Sequence, residues 1–170
     1  MFSSKEEDWY TPLPLFTYLD SVFHFRCDPC TTKQNPLGVR MFYTKDDDGL
    51  RHQWFDPTFI NPPYTVQVKR KGKKKAVRAR VIHLWVQKAL EQSRQGVTCV
   101  LLITSRTDTH VWQDTIFKHA KAVCFMRSRQ RFSNSKNCAP FPSAIVVFSQ
   151  NKLAPSILEG LEKLGWTIQM

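Results

Sequence analysis

The sequence predicts a three-layer α/β fold in which helices cover both faces of a mostly parallel sheet. From residue 81 onward, helical patterns alternate with apolar runs of buried-strand length at 97–104, 122–126 and 144–149. The chain has 170 residues, of which 42% are hydrophobic and 23% charged, an ordinary balance for one domain with a substantial core. We therefore expect a single domain at 9–170, preceded by a flexible tail at 1–8.

The first half of the chain predicts one helix and three short strands. Thr11-Pro12 has the composition of a helix start, with Thr11 as the N-cap and proline in the first turn. Strand patterns follow at 24–28, 39–43 and 59–60. Ligands of open α/β sheets bind beyond the carboxyl ends of the strands, so the strand ends at Asp28 and Asn61 are candidate site positions.

The second half of the chain predicts three helices and a final strand. Residues 81–92 have helical spacing, and Gly96 is the expected C-cap of that helix. Helical patterns also occupy 111–120 and 155–164, with Gly165 expected to close the last helix. Residues 166–169 predict a strand at the edge of the sheet.

The net charge of +11 indicates a polyanionic partner, most simply nucleic acid. Eight positive charges lie between residues 69 and 80, a segment without an acidic residue, so the rest of the chain carries only about +3. We interpret residues 66–80 as a basic insertion in the domain. It could bind phosphates with salt-sensitive, sequence-independent affinity, or it could be a solvated loop or a nuclear import signal.

Neither a membrane partner nor a metal is expected. No run approaches the roughly 18 apolar residues of a membrane span, and residues 1–8 contain no apolar signal core, which predicts an intracellular protein. Five cysteines, an odd number, argue against a disulfide framework. Cys27 and Cys30 have the spacing of half a zinc site, but no second ligand pair follows.

The most specific motif is Asn61-Pro62-Pro63-Tyr64. A Pro-Pro pair cannot continue a central strand, so the motif is predicted to be a loop at a strand's carboxyl end. It resembles the Asp/Asn-Pro-Pro-Tyr/Phe motif of methyltransferases that act on amines conjugated to a ring or a carbonyl. That resemblance implies that Asn61 Oδ1 and the Pro62 carbonyl accept the two amine hydrogens, while Pro63 stiffens the loop and Tyr64 stacks on the target base.

Several further motifs occur in an order that resembles the small phage-type (Dam-like) DNA adenine-N6 methyltransferases, over residues 9–148 or so. The matched segments are Trp9-x-Thr11-Pro12, Phe25-x-x-Asp28, Asp48-Gly49-Leu50, Trp54, Asn61-Pro62-Pro63-Tyr64, Thr107-Asp108-Thr109, Arg127-x-Arg129 and Pro140-Phe141-Pro142-Ser143-Ala144. The resemblance implies a Rossmann-like methyltransferase fold and methyl transfer from S-adenosylmethionine to the N6 amine of adenine in double-stranded DNA. The target base would be flipped out of the duplex.

The resemblance also assigns site residues. It places the cofactor against Trp9, Thr11, Pro12, Asp28 and Asp48. We add DNA contacts at the basic positions Lys69, Arg70, Lys71, Lys73, Lys74, Lys75, Arg127 and Arg129. A phage-derived enzyme would act in the cytoplasm of a bacterial host, whereas an import signal in the basic run would direct the protein to a nucleus.

Two departures from the pattern leave alternatives open. The glycine-rich turn that usually follows the first strand of methyltransferases is absent, because Asp28 is followed by Pro29, Cys30 and Thr31. The segment between Asp28 and Asn61 is also short, which suggests an abbreviated sheet. The alternatives are a methyltransferase acting on RNA or on a protein amide, and an inactive relative that only binds nucleic acid.

Overall fold

A central sheet and a small hairpin contain the strands of this protein. The structure is a computed structural model that describes residues 10–68, 77–131 and 138–170. The strands of these ranges are β1 Cys27–Asp28, β2 Met41–Phe42, β3 Thr58–Ile60, β4 Thr65–Val68, β5 Val77–Arg80, β6 Cys99–Thr104, β7 Ala122–Met126, β8 Ser143–Phe148 and β9 Gly165–Gln169. The helices are α1 Leu13–Phe23, α2 Ile82–Arg94, α3 Phe117–His119 and α4 Pro155–Glu162. A wide π-helical segment, Val111–Ile116, leads into α3, and a 3₁₀ turn occupies Gly49–Arg51.

The central sheet has seven strands in the order β2-β1-β3-β6-β8-β7-β9. Parallel pairing joins β2 to β1, β1 to β3 and β3 to β6. Antiparallel pairing joins β6 to β8, β8 to β7 and β7 to β9. Only β8 and β9 are therefore reversed, and five of the seven strands run in one direction, as the sequence predicts.

Helices cover both faces of this sheet and give the predicted three layers. On one face, α2 and the segment leading into α3 pack against alternate strand residues such as Leu101 and Val146. On the other face, α1 and α4 pack against Val100, Leu102 and Val147. Central strands buried on both faces require continuous apolar sequence, which explains the uninterrupted run in β6.

Two predicted helix boundaries are wrong. Thr11 is not the N-cap of α1, because the helix begins one residue later, with Pro12 in extended conformation at the cap. Gly165 does not close α4: Lys163 is the C-cap, and Gly165 is the first residue of β9. A Cβ on Gly165 would lie 2.0 Å from the carbonyl oxygen of Phe125, so glycine is required there by close strand contact rather than by a cap.

The other predicted elements are present, with shorter strands near the N-terminus. The pattern at 24–28 yields only β1, and the pattern at 39–43 yields only β2. The edge strand at 166–169 is confirmed as β9. Residues 29–57, all of them described, contain no α-helix between β1 and β3, in keeping with the expectation of an abbreviated sheet.

Candidate active site

The candidate site lies where two neighbouring strands end. β1 and β3 are adjacent and parallel, with Cys27 opposite Thr58, so Asp28 and Asn61 lie beyond the same edge of the sheet. From β1 the chain continues outward to β2, whereas β3 leads to β6 on the opposite side. The strand order thus diverges between β1 and β3, and such a switch point is where open α/β sheets form their ligand crevice.

A cavity of about 810 Å³ opens at this point, a volume typical of ligand-binding sites. The cavity brings together most of the predicted catalytic and cofactor-binding residues, namely Thr11, Asp28, Asp48, Asn61, Pro62, Pro63 and Tyr64. Pro12 is not among the lining residues; it is the N-cap of α1, and its carbonyl accepts the Phe16 N–H at 3.0 Å. Trp9 lies outside the described residues.

Asn61 is held by two contacts from distant parts of the chain. Its side-chain Nδ2 donates a 3.0 Å hydrogen bond to the Thr11 hydroxyl, and its backbone carbonyl accepts one from the Cys30 thiol at 3.4 Å. Because the amide is planar, binding Nδ2 to Thr11 places Oδ1 on the other side of Cγ. The first contact joins the Asn61 loop (residues 61–64) to the segment that precedes α1, and the second joins it to the turn after β1.

Asp28 is a buried acid at the cavity wall, with 4% of its surface exposed. Burial raises its pKa to about 7, although hydrogen bonds from Cys30 and Thr31 oppose that shift. One of those bonds runs from the Cys30 N–H to Asp28 Oδ1 at 3.2 Å. A carboxyl with this pKa is partly protonated near neutrality, and a nearby cation would stabilise its ionised form.

Tyr64 is the last residue of the Asn61 loop, and a hydrogen bond attaches it to β6. Its hydroxyl oxygen accepts a 2.7 Å hydrogen bond from the Thr104 N–H, and burial raises the pKa of the phenol well above its usual value of 10.0. The phenol therefore stays protonated and does not act as a base. The ring of Phe141 lies beside it, with centroids 6.2 Å apart, so the structure brings the loop together with the segment that precedes β8.

The Asp48-Gly49 pair also lines the cavity. Asp48 has a left-handed backbone conformation (φ 56°) and bridges Arg51 at 3.0 Å. A Cβ on Gly49 would lie 1.9 Å from the Pro29 carbonyl oxygen, so only glycine permits this close approach to the turn after Asp28. The buried Trp54 indole donates to the Gly49 carbonyl at 2.9 Å and holds it in place. A later segment of the chain thus supplies the glycine that lets the backbone pass close to the turn after β1.

Burial keeps the two cysteines near Asp28 in the thiol form. Burial raises the pKa of Cys27, and it raises that of Cys30 well above the usual value of 9.0. Protonated thiols bind metal poorly. Within residues 10–68, 77–131 and 138–170, no group of three or more His, Cys, Asp or Glu could hold a metal ion.

The predicted DNA contacts divide into two groups. Arg127 and Arg129 are exposed just beyond the carboxyl end of β7, on the sheet edge that holds the site. Three strand spacings separate β7 from β3, about 14 Å. The other group, Lys69, Arg70, Lys71, Lys73, Lys74 and Lys75, lies outside the described residues.

The structure shows an antiparallel hairpin where the sequence suggested only a basic insertion. β4 follows Tyr64 directly and pairs with β5, with Thr65 opposite Arg80. The Val81 N–H then donates to the Tyr64 carbonyl at 3.1 Å. The two ends of the insertion therefore lie next to each other, beside Tyr64 of the Asn61 loop. Valines alternate with polar residues in β4, a signal that the neighbouring charges obscured.

Several residues that line the cavity are not among those predicted from the sequence, including Cys30, Trp85 and Tyr10. Cys30 was considered only as half of a zinc pair, although it contacts both Asp28 and Asn61. Trp85, in α2, lines the cavity and stacks on Trp54 with ring centroids 6.2 Å apart. Tyr10, next to Thr11, lines the cavity and is exposed. No local pattern marks these residues, because their neighbours in space are remote in sequence.

A family model described as DNA N-6-adenine-methyltransferase (Dam) matches residues 2–155, most of the chain. A search of curated proteins returned nothing that matches. In the part of the chain that the structure describes, every helix is too short or too polar to cross a membrane.

Proposed function

This chain belongs to the DNA N-6-adenine-methyltransferase (Dam) family, and on that premise we propose that it moves a methyl group from S-adenosylmethionine to the N6 amine of adenine in double-stranded DNA. The observation that carries the proposal is the meeting of Asp28 and the Asn61 loop in one cavity at the switch point of the sheet. Asp28 serves the cofactor, and the Asn61 loop serves the target base.

The Asn61 loop supplies two carbonyl-type acceptors for the target amine. The lone pair of adenine N6 is delocalised into the ring, so the amine is a poor nucleophile. Asn61 Oδ1 and the Pro62 carbonyl accept its two hydrogens and draw the nitrogen toward a tetrahedral geometry. Their dipoles also stabilise the positive charge that develops on nitrogen as the new bond forms. The rings of Pro62 and Pro63 restrict the backbone, so these acceptors need little reorganisation.

The cavity residues fit the proposed cofactor. S-adenosylmethionine supplies an electrophilic methyl group on a sulfonium centre, and it carries a second positive charge on its ammonium group. Asp28 is a buried acid whose pKa of about 7 reflects burial without a compensating cation. Thr11 and Asp48 add a hydroxyl and a second acid to the same cavity. The cofactor therefore binds between Thr11, the end of β1 and the Asp48-Gly49 turn.

The target base occupies the side of the cavity nearer Tyr64. A base inside a duplex cannot reach Asn61, so adenine must be flipped out of the stack. The Tyr64 ring stacks on the flipped base, an interaction that contributes roughly 1–3 kcal/mol. The hydrogen bond from Thr104 restrains that ring before the base arrives, which lowers the entropic cost of binding.

The duplex is held by basic residues around the mouth of the site. Arg127 and Arg129 lie beyond β7 on the same sheet edge as the cavity. The basic run lies in sequence between β4 and β5, whose paired ends adjoin Tyr64. Contacts from both groups to phosphates would add affinity that falls as salt rises, without selecting a sequence.

Radiolabelled methyl transfer tests the proposal directly. The protein is incubated with methyl-labelled S-adenosylmethionine and unmethylated duplex DNA, and the DNA is then digested to nucleosides. We expect the label in N6-methyladenine. Asn61→Ala should abolish transfer and leave cofactor affinity nearly unchanged. The matched control is Asn151→Ala, which alters an exposed asparagine that does not line the cavity and should behave like the wild type.

Three outcomes would contradict the proposal. Label on RNA or on a protein amide, but not on DNA, would show that DNA is not the substrate. Absence of both transfer and cofactor binding would leave a protein that only binds nucleic acid. Full transfer by Asn61→Ala would show that another group holds the amine.

A further inference from the structure

We propose that Thr11 is a positioning residue for the Asn61 amide, in addition to lining the cofactor side of the cavity. The inference rests on the proposed function, because it assigns Asn61 Oδ1 as the acceptor of the target amine. It goes beyond that function by naming the residue whose hydroxyl holds the Nδ2 end of the amide.

The contact is built from two rigid parts of the fold. Asn61 Nδ2 donates to Thr11 Oγ1 at 3.0 Å, although 50 residues separate the two in sequence. Thr11 is 7% exposed and immediately precedes Pro12, the cap of α1. The buried α1 residues Leu15 and Leu19 belong to the core cluster on that face of the sheet, so packing fixes the position of the hydroxyl. Asn61 follows β3 in the centre of the sheet.

The Asn61 amide needs such a partner because its two ends have opposite polarity. The amide oxygen accepts hydrogen bonds and the NH₂ group donates them, yet the two ends have nearly the same shape. A rotation of 180° about the Cβ–Cγ bond would present donor hydrogens to an amine that also carries hydrogens. That arrangement repels the substrate. In the structure Nδ2 is bound to Thr11, so Oδ1 is directed away from Thr11, in the orientation that the substrate needs.

An aspartate at position 61 gives a decisive test, because a carboxylate has two equivalent oxygens and no wrong orientation. The resemblance described above allows either asparagine or aspartate at this position of the motif. If Thr11 acts by orienting an amide, removing its hydroxyl should slow the enzyme when residue 61 is asparagine and have little effect when it is aspartate. A purely structural or cofactor-binding role would give the same penalty in both backgrounds.

The experiment measures single-turnover methyl transfer at saturating cofactor and DNA, together with cofactor affinity, for Thr11→Val, Thr11→Ser, Asn61→Asp and the double variant. Loss of one hydrogen bond predicts that Thr11→Val lowers the rate about tenfold in the wild-type background and less than about threefold beside Asn61→Asp. Thr11→Ser keeps the hydroxyl and should restore most of the rate. Circular dichroism checks folding, and Thr11→Ala replaces Thr11→Val if the latter does not fold.

The outcomes separate this inference from the proposed function. Transfer by the wild type with equal penalties in both backgrounds would overturn the positioning role alone, as would a Thr11→Val defect confined to cofactor affinity. Should Asn61→Asp give no turnover, the serine–valine difference in rate at unchanged cofactor affinity decides: its presence supports the role and its absence overturns it. No transfer by the wild type would overturn the proposed function, and the positioning role with it.

Discussion

The hydroxyl oxygen of Tyr64 accepts a 2.7 Å hydrogen bond from the backbone N–H of Thr104, the last residue of β6. The carbonyl of the same Thr104 accepts a 3.1 Å bond from the indole Nε1 of Trp112. Tyr64, at the end of the Asn61 loop, is therefore attached to β6 and, through β6, to the helical layer. Such attachment restrains the loop before substrate binds, which favours rapid chemistry.

Removal of the Tyr64 hydroxyl should loosen this attachment. In Tyr64→Phe the Thr104 N–H loses its acceptor, which costs about 1–3 kcal/mol, and we expect the single-turnover rate to fall about tenfold. Tyr43→Phe is the matched control, because that hydroxyl also bonds a backbone group, donating to the Gln53 carbonyl, but in an exposed position outside the cavity. An unchanged rate in Tyr64→Phe would show that the bond does not position the loop.

Cofactor affinity should rise with pH through the titration of Asp28. Burial raises the pKa of this carboxyl to about 7, and only the ionised form attracts a cationic ligand. We expect affinity for S-adenosylmethionine to increase about fivefold to tenfold between pH 6 and pH 8, and Asp28→Asn to be weaker and independent of pH in that range. Isothermal titration calorimetry at several pH values measures both effects. A pH dependence that persists in Asp28→Asn would assign the titration to another group.

The same carboxyl should make the free protein less stable as pH rises. Its folded-state pKa of about 7 lies above the ordinary value of 3.8, so the folded protein keeps a proton that the unfolded chain has lost. The stability that this proton contributes is fully present below about pH 4, and it is lost as the pH rises to about 7. The free energy of unfolding, measured with urea in the absence of cofactor, should therefore decline across that pH window. In Asp28→Asn the decline should be smaller. An identical decline in the variant would contradict the assignment.

Gly49→Ala should damage the cofactor side of the cavity. The new Cβ would lie 1.9 Å from the Pro29 carbonyl oxygen, so either the Asp48-Gly49 turn or the turn after Asp28 must move. Gly38→Ala is the control: its φ of +66° is strained for alanine, but nothing lies within 4 Å of the added Cβ. The control should lose about 1 kcal/mol of stability and keep its cofactor affinity, whereas Gly49→Ala should lose more than that and bind cofactor weakly. Equal losses in the two variants would show that the Pro29 contact is unimportant.

Neutralising Lys73, Lys74 and Lys75 should weaken DNA binding and reduce its salt dependence. Each lost phosphate contact lowers the slope of log affinity against log salt by about 0.9, so the triple glutamine variant should lose up to about 2.7. A charge-matched control changes Lys118, Lys121 and Lys152, which lie near the start of β7 or after β8, at the sheet edge away from the site. Fluorescence anisotropy over a salt series measures the slope. If the two triple variants gave the same slope as the wild type, the basic run would be a solvated or targeting segment.

Patterns of short range were read correctly from the sequence. The apolar run that forms β6 is buried along nearly its full length, and the alternation of elements after residue 81 gives the predicted layers. The Pro-Pro pair at 62–63 does end a strand, since β3 stops at Ile60. These features depend on local periodicity and on backbone restrictions, which a sequence displays directly.

Contacts across the fold were not predictable in the same way. Thr11 was interpreted as a helix cap because a threonine before a proline fits that role locally, whereas its hydroxyl oxygen in fact accepts a hydrogen bond from Asn61. Gly165 was interpreted as a helix end, whereas the approach of the Phe125 backbone explains it. In both cases a distant residue decided a role that several local explanations could satisfy.

The sequence by itself determined the fold class and the family resemblance, and it predicted the Asn61 loop as a candidate site, because each depends on residue types at fixed spacing along the chain. Only the tertiary structure decided that β1 and β3 lie side by side, and hence that Asp28 and Asn61 share one cavity. The same is true of the Thr11, Cys30 and Tyr64 contacts that hold the loop. Strand order and side-chain partners depend on packing between remote segments, and that packing leaves no periodic trace in the sequence.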